Sequence, residues 1–411
     1  MTLSVPHVPP PATEPPPVPL PEPGTMGPPP DCARLRRECP VRHVKLPMDE
    51  PGAVAWYVTR YADVRRLLGD RRFTRPDINE WPARPGEPPW DGPGLTTMME
   101  LEGDRHVALR RAVADHFGAG AVRARLPRIR ALADGLLDEF EAAAGGRTGD
   151  LVGGFAEPFP LLVACDLVGI PYEERDRFLG PADAALGAMM TLDEGRRATG
   201  FLRSYVLELA ERRRRSPGDD VLSDLVRRRD AGELDDEHLV VFGLSILIAG
   251  YRTSTMFLAD AVLALLTHPD QLAALRADRS LLPGAVEELL RWLPVMNANV
   301  LLVATEDVEI AGQPIRAGEA VLPVIASANR DESVFPDADR LDLRRGLNLH
   351  LSFGRGAHNC VGSHLARAEL EVGLAALLDR FPRLELAVDP DTLPWEDESP
   401  AKSPLTLPVR W

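Results

Sequence analysis

The stretch Phe353-Gly354-Arg355-Gly356-Ala357-His358-Asn359-Cys360-Val361-Gly362 sets one cysteine among glycines, directly ahead of a helix-like run from Val361 to Leu378. The thiolate is the form of cysteine that binds metals. Glycines let a loop fold so that backbone N–H groups turn toward such a sulfur and tune its electron donation. The positive end of the following helix stabilises the negative charge. These residue types, in this order, can hold a sulfur anion against a metal ion. Taken alone, a free cysteine is more often a small buried hydrophobe. The frame around Cys360 is what favours the chemical reading.

That frame resembles the haem-binding signature of the cytochrome P450 family, Phe-Gly-x-Gly-x-His-x-Cys-x-Gly, and matches it at every specified position. The resemblance runs from about residue 31 to 411. It implies a mainly α fold with a minor β part, as one domain over 31–411. It implies heme b, with Cys360 as the axial ligand of the iron. Phe353, Gly354, Gly356 and Gly362 would shape the loop, and His358 would reach a haem propionate. A thiolate ligand pushes electron density onto the iron and favours O–O cleavage. The implied activity is that of a monooxygenase inserting one oxygen atom of O2, by hydroxylation or epoxidation. Electrons would come from NAD(P)H through a ferredoxin reductase and a ferredoxin. Arg65, Arg66, Arg111, Arg355 and Arg367 are candidates for the basic patch that an acidic ferredoxin would need.

Three further segments extend the resemblance. Ala249-Gly250-Tyr251-Arg252-Thr253-Ser254 follows an apolar stretch, Leu239 to Tyr251, that reads as a buried core helix. A glycine there weakens a helix by about 1 kcal/mol relative to alanine. The family pattern is Ala-Gly-x-acid-Thr. It implies that Ala249 and Gly250 widen or kink the helix into an oxygen groove and that Thr253 helps deliver protons. A hydroxyl suits a relay because it donates and accepts at once. Arg252 departs from the pattern, and a guanidinium stays protonated in proteins. Three readings stay open. Water and Thr253 carry protons without the acid; or Arg252 binds an anionic group on a substrate or carrier; or the chemistry needs no full oxygen activation.

His106 and Arg110 stand at i and i+4 and share a helix face. By themselves they are an ordinary basic surface. The resemblance implies propionate contacts, for which arginine offers a planar fork. Another family arginine, ahead of Ala304-Thr305-Glu306-Asp307, is absent here, where the chain has Leu301-Leu302. Glu288 and Arg291 stand at i and i+3, usually a solvated pair of small worth. The resemblance joins them with Arg340 in a buried charge cluster that supports the cysteine loop, a structural role. Asn329-Arg330-Asp331-Glu332 fits the same pattern.

The elements that must position these residues follow from periodicity and punctuation. Helical patterns dominate from about Arg105 to Arg291, broken near Gly145-Gly146, Pro171, Pro217-Gly218 and Pro269. Ala55 to Arg60 reads as a strand and Tyr61 to Gly69 as a short helix. Strand-like pieces come at Val300 to Ala304, Val308 to Ile310, Val321 to Ile325 and Leu405 to Trp411. Residues 75–98 form a long Pro- and Gly-rich loop, which in the family caps the substrate pocket. Met189, Met190, Val295, Met296 and Leu405 are pocket candidates by position, and their apolar character suggests an apolar substrate. Residues 1–30 are saturated with proline and read as an unordered tail.

Composition bounds the partners. A net charge of −15 disfavours nucleic acid. The four cysteines are scattered, against a zinc site or a disulfide scaffold and in favour of a reducing cytoplasm. No apolar run reaches the roughly 18 residues that a membrane helix needs. The family analogy extends to a tailoring enzyme of specialised metabolism, as in antibiotic biosynthesis on polyketide or terpenoid scaffolds. The alternatives are non-hydroxylating haem-thiolate chemistry (phenol coupling, desaturation or peroxide use) and a non-catalytic partner protein.

Overall fold

The computed structural model describes residues 14–46, 53–76, 97–186, 192–293, 296–298, 301–396 and 402–411. The chain forms two compact units, each assembled from separated stretches. The smaller takes Met1–Glu102, Leu290–Leu341 and Asn348–Cys360; the larger takes Gly103–Leu289, Asp342–Leu347 and Val361–Trp411.

β-Structure concentrates in the smaller unit. Val54–Val58 pairs antiparallel with Val41–Lys45 and parallel with Ala320–Pro323, Trp56 standing opposite Val321. Leu302–Ala304 and then Phe73–Thr74 complete a five-stranded sheet. Val58, Val64, Ile315, Val321 and Ala328 share one fully buried apolar cluster. The strand expected to run to Ile325 stops at Pro323, and Ile325–Ala328 is a short helix. Val324 N–H still donates to Val58 O at 2.9 Å, and the chain then turns into the helix. The hairpin of Val308–Ile310 and Gln313–Ile315 turns at Ala311 and Gly312, with φ of 50° and 81°. Both central residues of such a turn need positive φ, which costs Ala311 about 1 kcal/mol.

The proline-rich start departs from expectation from residue 14 onward; residues 1–13 lie outside the described ones. Val18 N–H donates to Lys45 O, and Lys45 N–H to Pro16 O, each at 2.8 Å. Glu14 pairs with the Lys45 ammonium at 3.1 Å. Val41–Lys45 is a sheet edge with unpaired backbone groups, a template for another extended segment. Polyproline-like chain is already extended, and here Val18 supplies the N–H that its prolines lack.

The larger unit is mostly helical, with a three-stranded sheet of Thr148–Asp150, Pro408–Arg410 and Glu385–Leu386. Helix Ala119–Ala144 ends at Gly145 (φ 55°) and helix Pro158–Val168 at Gly169 (φ 91°), the left-handed stops that glycine allows. The expected apolar helix is continuous from Asp236 to Thr267 but changes pitch. Residues Asp236–Ser245 are α-helical, Ile246–Gly250 form a π turn, and Arg252–Thr267 are α-helical again. This last segment packs on Pro158–Val168 and on Ser363–Arg380, the helix after the cysteine loop.

Helix Leu282–Trp292 carries the two charges expected to be buried. In the larger unit Glu288 is wholly buried and accepts Asp342 N–H at 3.0 Å. The Arg345 Nε lies 3.1 and 3.0 Å from its two oxygens. In the smaller unit Arg291, 1% exposed, donates to the carbonyls of Asn329, Ala338 and Arg340 at 2.9, 2.7 and 3.2 Å. Arg340 therefore does not take the place the sequence suggested. Its N–H closes a turn onto Asp337 O. That turn offers Arg291 the Arg340 carbonyl and leaves the Arg340 side chain exposed; the guanidinium on Glu288 is that of Arg345. Glu288→Gln would remove the wholly buried carboxylate that faces the largely buried Arg345 guanidinium. The expected loss is about 3–5 kcal/mol in urea unfolding of the haem-loaded protein. A loss below about 1 kcal/mol, the worth of an exposed pair, would sink the buried-pair account.

Candidate active site

The cysteine loop is built in the smaller unit from backbone bonds. Gly354 N–H donates to Leu351 O and Cys360 N–H to Phe353 O, both at 2.8 Å. The Asn359 amide reaches Phe353 O and Gly354 O at 3.2 and 3.3 Å. Gly354 and Gly356 have φ of 67° and 78°, and a Cβ on Gly356 would fall 2.5 Å from Leu68 O. A side chain at Gly356 is therefore excluded twice, by conformation and by space. The loop presents Cys360 exposed, whereas Cys32 and Cys165 are buried. Burial pushes the Cys165 thiol up to about 12 and keeps it inert. The buried-hydrophobe reading thus fits Cys165 and not Cys360. The helix after the loop begins at Ser363 with Gly362 at its cap, two residues later than its pattern suggested.

The loop rests on a buried polar circuit. Asn329, whose carbonyl Arg291 binds, accepts Leu351 N–H at 2.8 Å and donates to Ser352 Oγ at 2.9 Å. Ser352 Oγ in turn donates to Leu290 O at 2.6 Å. Tyr61 OH donates to Leu349 O at 2.8 Å. His358 Nε2 stands 3.2 Å from Glu102 Oε1, and Glu102 also accepts Arg75 N–H at 3.0 Å. Those bonds outweigh burial and hold the Glu102 carboxyl below its usual range.

In the larger unit, the π turn stands where Ala249 and Gly250 were expected to widen the helix. A π turn closes i→i+5 bonds and inserts one residue more than an α turn, and such turns mark functional sites. Helix Arg252–Thr267 is buried from Ser254 to Leu265. Around the π turn, Ser245, Ile246, Ala249, Gly250, Arg252 and Thr253 keep access to solvent. A Cβ on Gly250 would meet Ile246 at 3.3 Å. Thr253 Oγ1 donates to Ala249 O at 3.1 Å, so its lone pairs stay open to a second donor. Arg252 lies 3.5 Å from Glu396 Oε2, a partner from the C-terminal stretch.

His106 and Arg110 share one face of helix Gly103–Phe117, His106 buried and Arg110 half-buried. Of the pocket candidates, Met296 and Leu405 are exposed, at 46% and 49%. Met189, Met190 and Val295, with most of the loop at 75–98, lie outside the described residues.

Glu369 was not anticipated. It is buried on helix Ser363–Arg380, and burial pushes its carboxyl up to about 8 against an opposing hydrogen bond from Ser254, the residue after Thr253. The signal was present in the spacing. Glu369 stands four residues after the apolar Leu365 and so shares its helix face.

Comparison with known proteins agrees with this geometry. Residues 190–404 match the family model described as Cytochrome P450. The chain is 41% identical over 384 residues to the Nocardicin C N-oxygenase of Nocardia uniformis subsp. tsuyamanensis, covering 93% of this chain and 95% of that one. It is 40% identical to the Mycinamicin IV hydroxylase/epoxidase of Micromonospora griseorubida, covering 92% and 94%. Among solved structures, that of HinD with NMFT and NO aligns with a TM-score of 0.88 at 40% identity, over 97% of this chain and all of that one. Similarity of this extent, joined to an exposed cysteine on a loop that matches the signature throughout, makes the chain a member of the cytochrome P450 family, haem-dependent enzymes of the monooxygenase class that use separate redox partners.

Proposed function

We propose that this enzyme hydroxylates or epoxidises a largely apolar scaffold of specialised metabolism, with Cys360 as the axial ligand of its haem. The exposed Cys360 thiol on a braced loop carries the reading. Among the described residues no group of three His, Cys, Asp or Glu could hold an ion by itself. One thiolate suffices only when the iron arrives with its own equatorial ligands, so the donor set fits haem. When bound, haem supplies the activation of dioxygen. His106, Arg110 and His358 would hold its propionates.

The remaining roles belong to side chains. Thr253 holds a proton at Oγ1 and can accept another hydrogen bond there, which suits it to pass protons. Glu369 stays neutral and so keeps a proton beside Ser254. Ala249 and Gly250 keep the helix surface low beside it. Met296 and Leu405 offer apolar contact to substrate. The relatives named as N-oxygenase and hydroxylase/epoxidase support an oxygen insertion. The pairing of Arg252 with Glu396 favours the reading in which Thr253 and water carry protons without an acid at that position. We assign electron delivery to a ferredoxin and its NAD(P)H-dependent reductase. Arg65, Arg66, Arg111 and Arg355 are exposed and serve as docking candidates, whereas Arg367 is forked onto Glu287. No helix among the described residues is long and apolar enough to cross a membrane.

Three measurements test this reading. The reduced, carbon monoxide-treated enzyme should show the long-wavelength Soret band of a thiolate ligand, and Cys360→Ser should abolish it. A haem-loaded parent without that band would refute the ligand assignment. Thr253→Ala should keep dioxygen uptake while product per dioxygen falls severalfold and peroxide rises; Thr253→Ser should recover most of the yield. Undiminished yield in Thr253→Ala removes Thr253 from the proton path.

The third concerns Glu369. Its folded pKa lies above the ordinary value, so the folded protein keeps a proton that the unfolded chain releases. The charge becomes costly as pH rises from the ordinary carboxylate range through about 8. Glu369→Gln, having no such charge, should gain stability relative to the parent between pH 5 and 9, by up to roughly 4 kcal/mol. A difference independent of pH, measured by urea unfolding, would contradict a buried neutral acid.

A further inference from the structure

A π turn inside a helix is an irregularity that its surroundings must stabilise, because an α turn of the same residues has better hydrogen-bond geometry. The side chains directly after Ile246–Gly250 show how. Tyr251 is 2% exposed, and its hydroxyl donates to Asp183 Oδ1 at 3.0 Å. Asp183 belongs to helix Arg175–Leu186. The next residue, Arg252, meets Glu396 Oε2 at 3.5 Å. Glu396 belongs to the C-terminal stretch. Successive helical residues point about 100° apart, so the two carboxylates grip the end of the turn from different directions. Thr253 Oγ1 and Ser245 Oγ, by contrast, bond to carbonyls of their own helix, those of Ala249 and Val241.

Expelling the extra residue of the turn would rotate everything before it by about 100° relative to everything after it. Ala249 and Gly250 are the last two residues of the turn, and Thr253 stands just after it on helix Arg252–Thr267. The relative orientation of these three residues therefore depends on the register of the turn.

We propose that Asp183 and Glu396 are positioning residues, which hold the 246–250 turn in its π register through Tyr251 and Arg252 and so set Thr253 against Ala249 and Gly250. Neither carboxylate needs to touch substrate. The functional half of the proposal rests on the role given to Thr253 above, whereas the structural half stands by itself.

The test uses the full-length, haem-loaded enzyme. Tyr251→Phe removes one oxygen atom and Glu396→Gln one charge, so both variants should fold. Amide hydrogen exchange over residues 250–256 is expected to quicken severalfold in each, and product per dioxygen to fall in parallel. Arg252→Glu combined with Glu396→Arg restores an ion pair with reversed polarity and should return both readings toward the parent. Unchanged exchange in both single variants would overturn the anchors. Faster exchange with full product per dioxygen would overturn their part in the reaction. Thr253→Ala, measured beside them, separates the two claims: if it alone leaves the yield intact, the role of Thr253 fails while the exchange data still decide the anchors.

Discussion

A guanidinium almost wholly out of water is the constraint on which the cysteine loop depends. Arg291 cannot shed its charge, and each N–H that it buries needs an acceptor. Among its acceptors are the main-chain carbonyls at 329, 338 and 340, which fixes the course of that segment. Asn329, placed in this way, spends its own amide on Leu351 and Ser352. Ser352 then returns to Leu290, one residue from where the circuit began. Phe353 follows directly, and with it the loop that presents Cys360. A hydrophobic contact could not do the same work, because it does not specify direction. Lysine could not either, having three donors on a flexible stem where a planar fork is needed.

The larger unit meets a related difficulty in the opposite manner. Its central helix is mostly apolar beyond Ser254, and burial keeps two carboxyls there neutral, Asp260 on the helix itself and Glu369 on Ser363–Arg380 beside it. Glu369 has the Ser254 hydroxyl beside it, and Asp260 has that of Ser403. A carboxyl out of water with one weak partner does better as an acid than as an anion. The smaller unit thus fixes geometry with a permanent charge that must be answered, and the larger keeps protons in places that water does not reach.

What could be read in the sequence was whatever is encoded locally. The pattern of the cysteine loop was legible, because its specified glycines, histidine and cysteine lie within ten residues, whereas the Arg291 circuit that braces it was not. The apolar run after Leu239 announced a buried helix; Gly145 and Pro171 announced the ends of its neighbours and Pro269 its own end. Long-range partners were not legible. Nothing near Glu288 says that Arg345 rather than Arg340 will meet it; that depends on a turn at 337–340 which exposes one arginine. Val18 was lost among prolines because the edge it pairs with lies 27 residues on, at Lys45. The π turn was expected as a widening on family grounds alone. Its physical hold, from Asp183 and Glu396, lies 68 residues before Tyr251 and 144 after Arg252.

Arg252 illustrates why magnitude must decide between readings. From the sequence its substitution for an acid looks like a lost proton shuttle. The structure gives it a carboxylate partner at 3.5 Å, with 31% of Arg252 and 20% of Glu396 still reaching solvent. A half-exposed pair of that length contributes about 0–1 kcal/mol, too little to matter for the stability of a chain this size. The competition inside the helix is of the same order, since choosing between π and α registers rearranges a few backbone bonds worth about 1 kcal/mol each. A weak ion pair that is negligible for folding is therefore large enough to decide which register the turn adopts. The consequence of Arg252 belongs to the geometry around Thr253, where small energies choose between discrete arrangements.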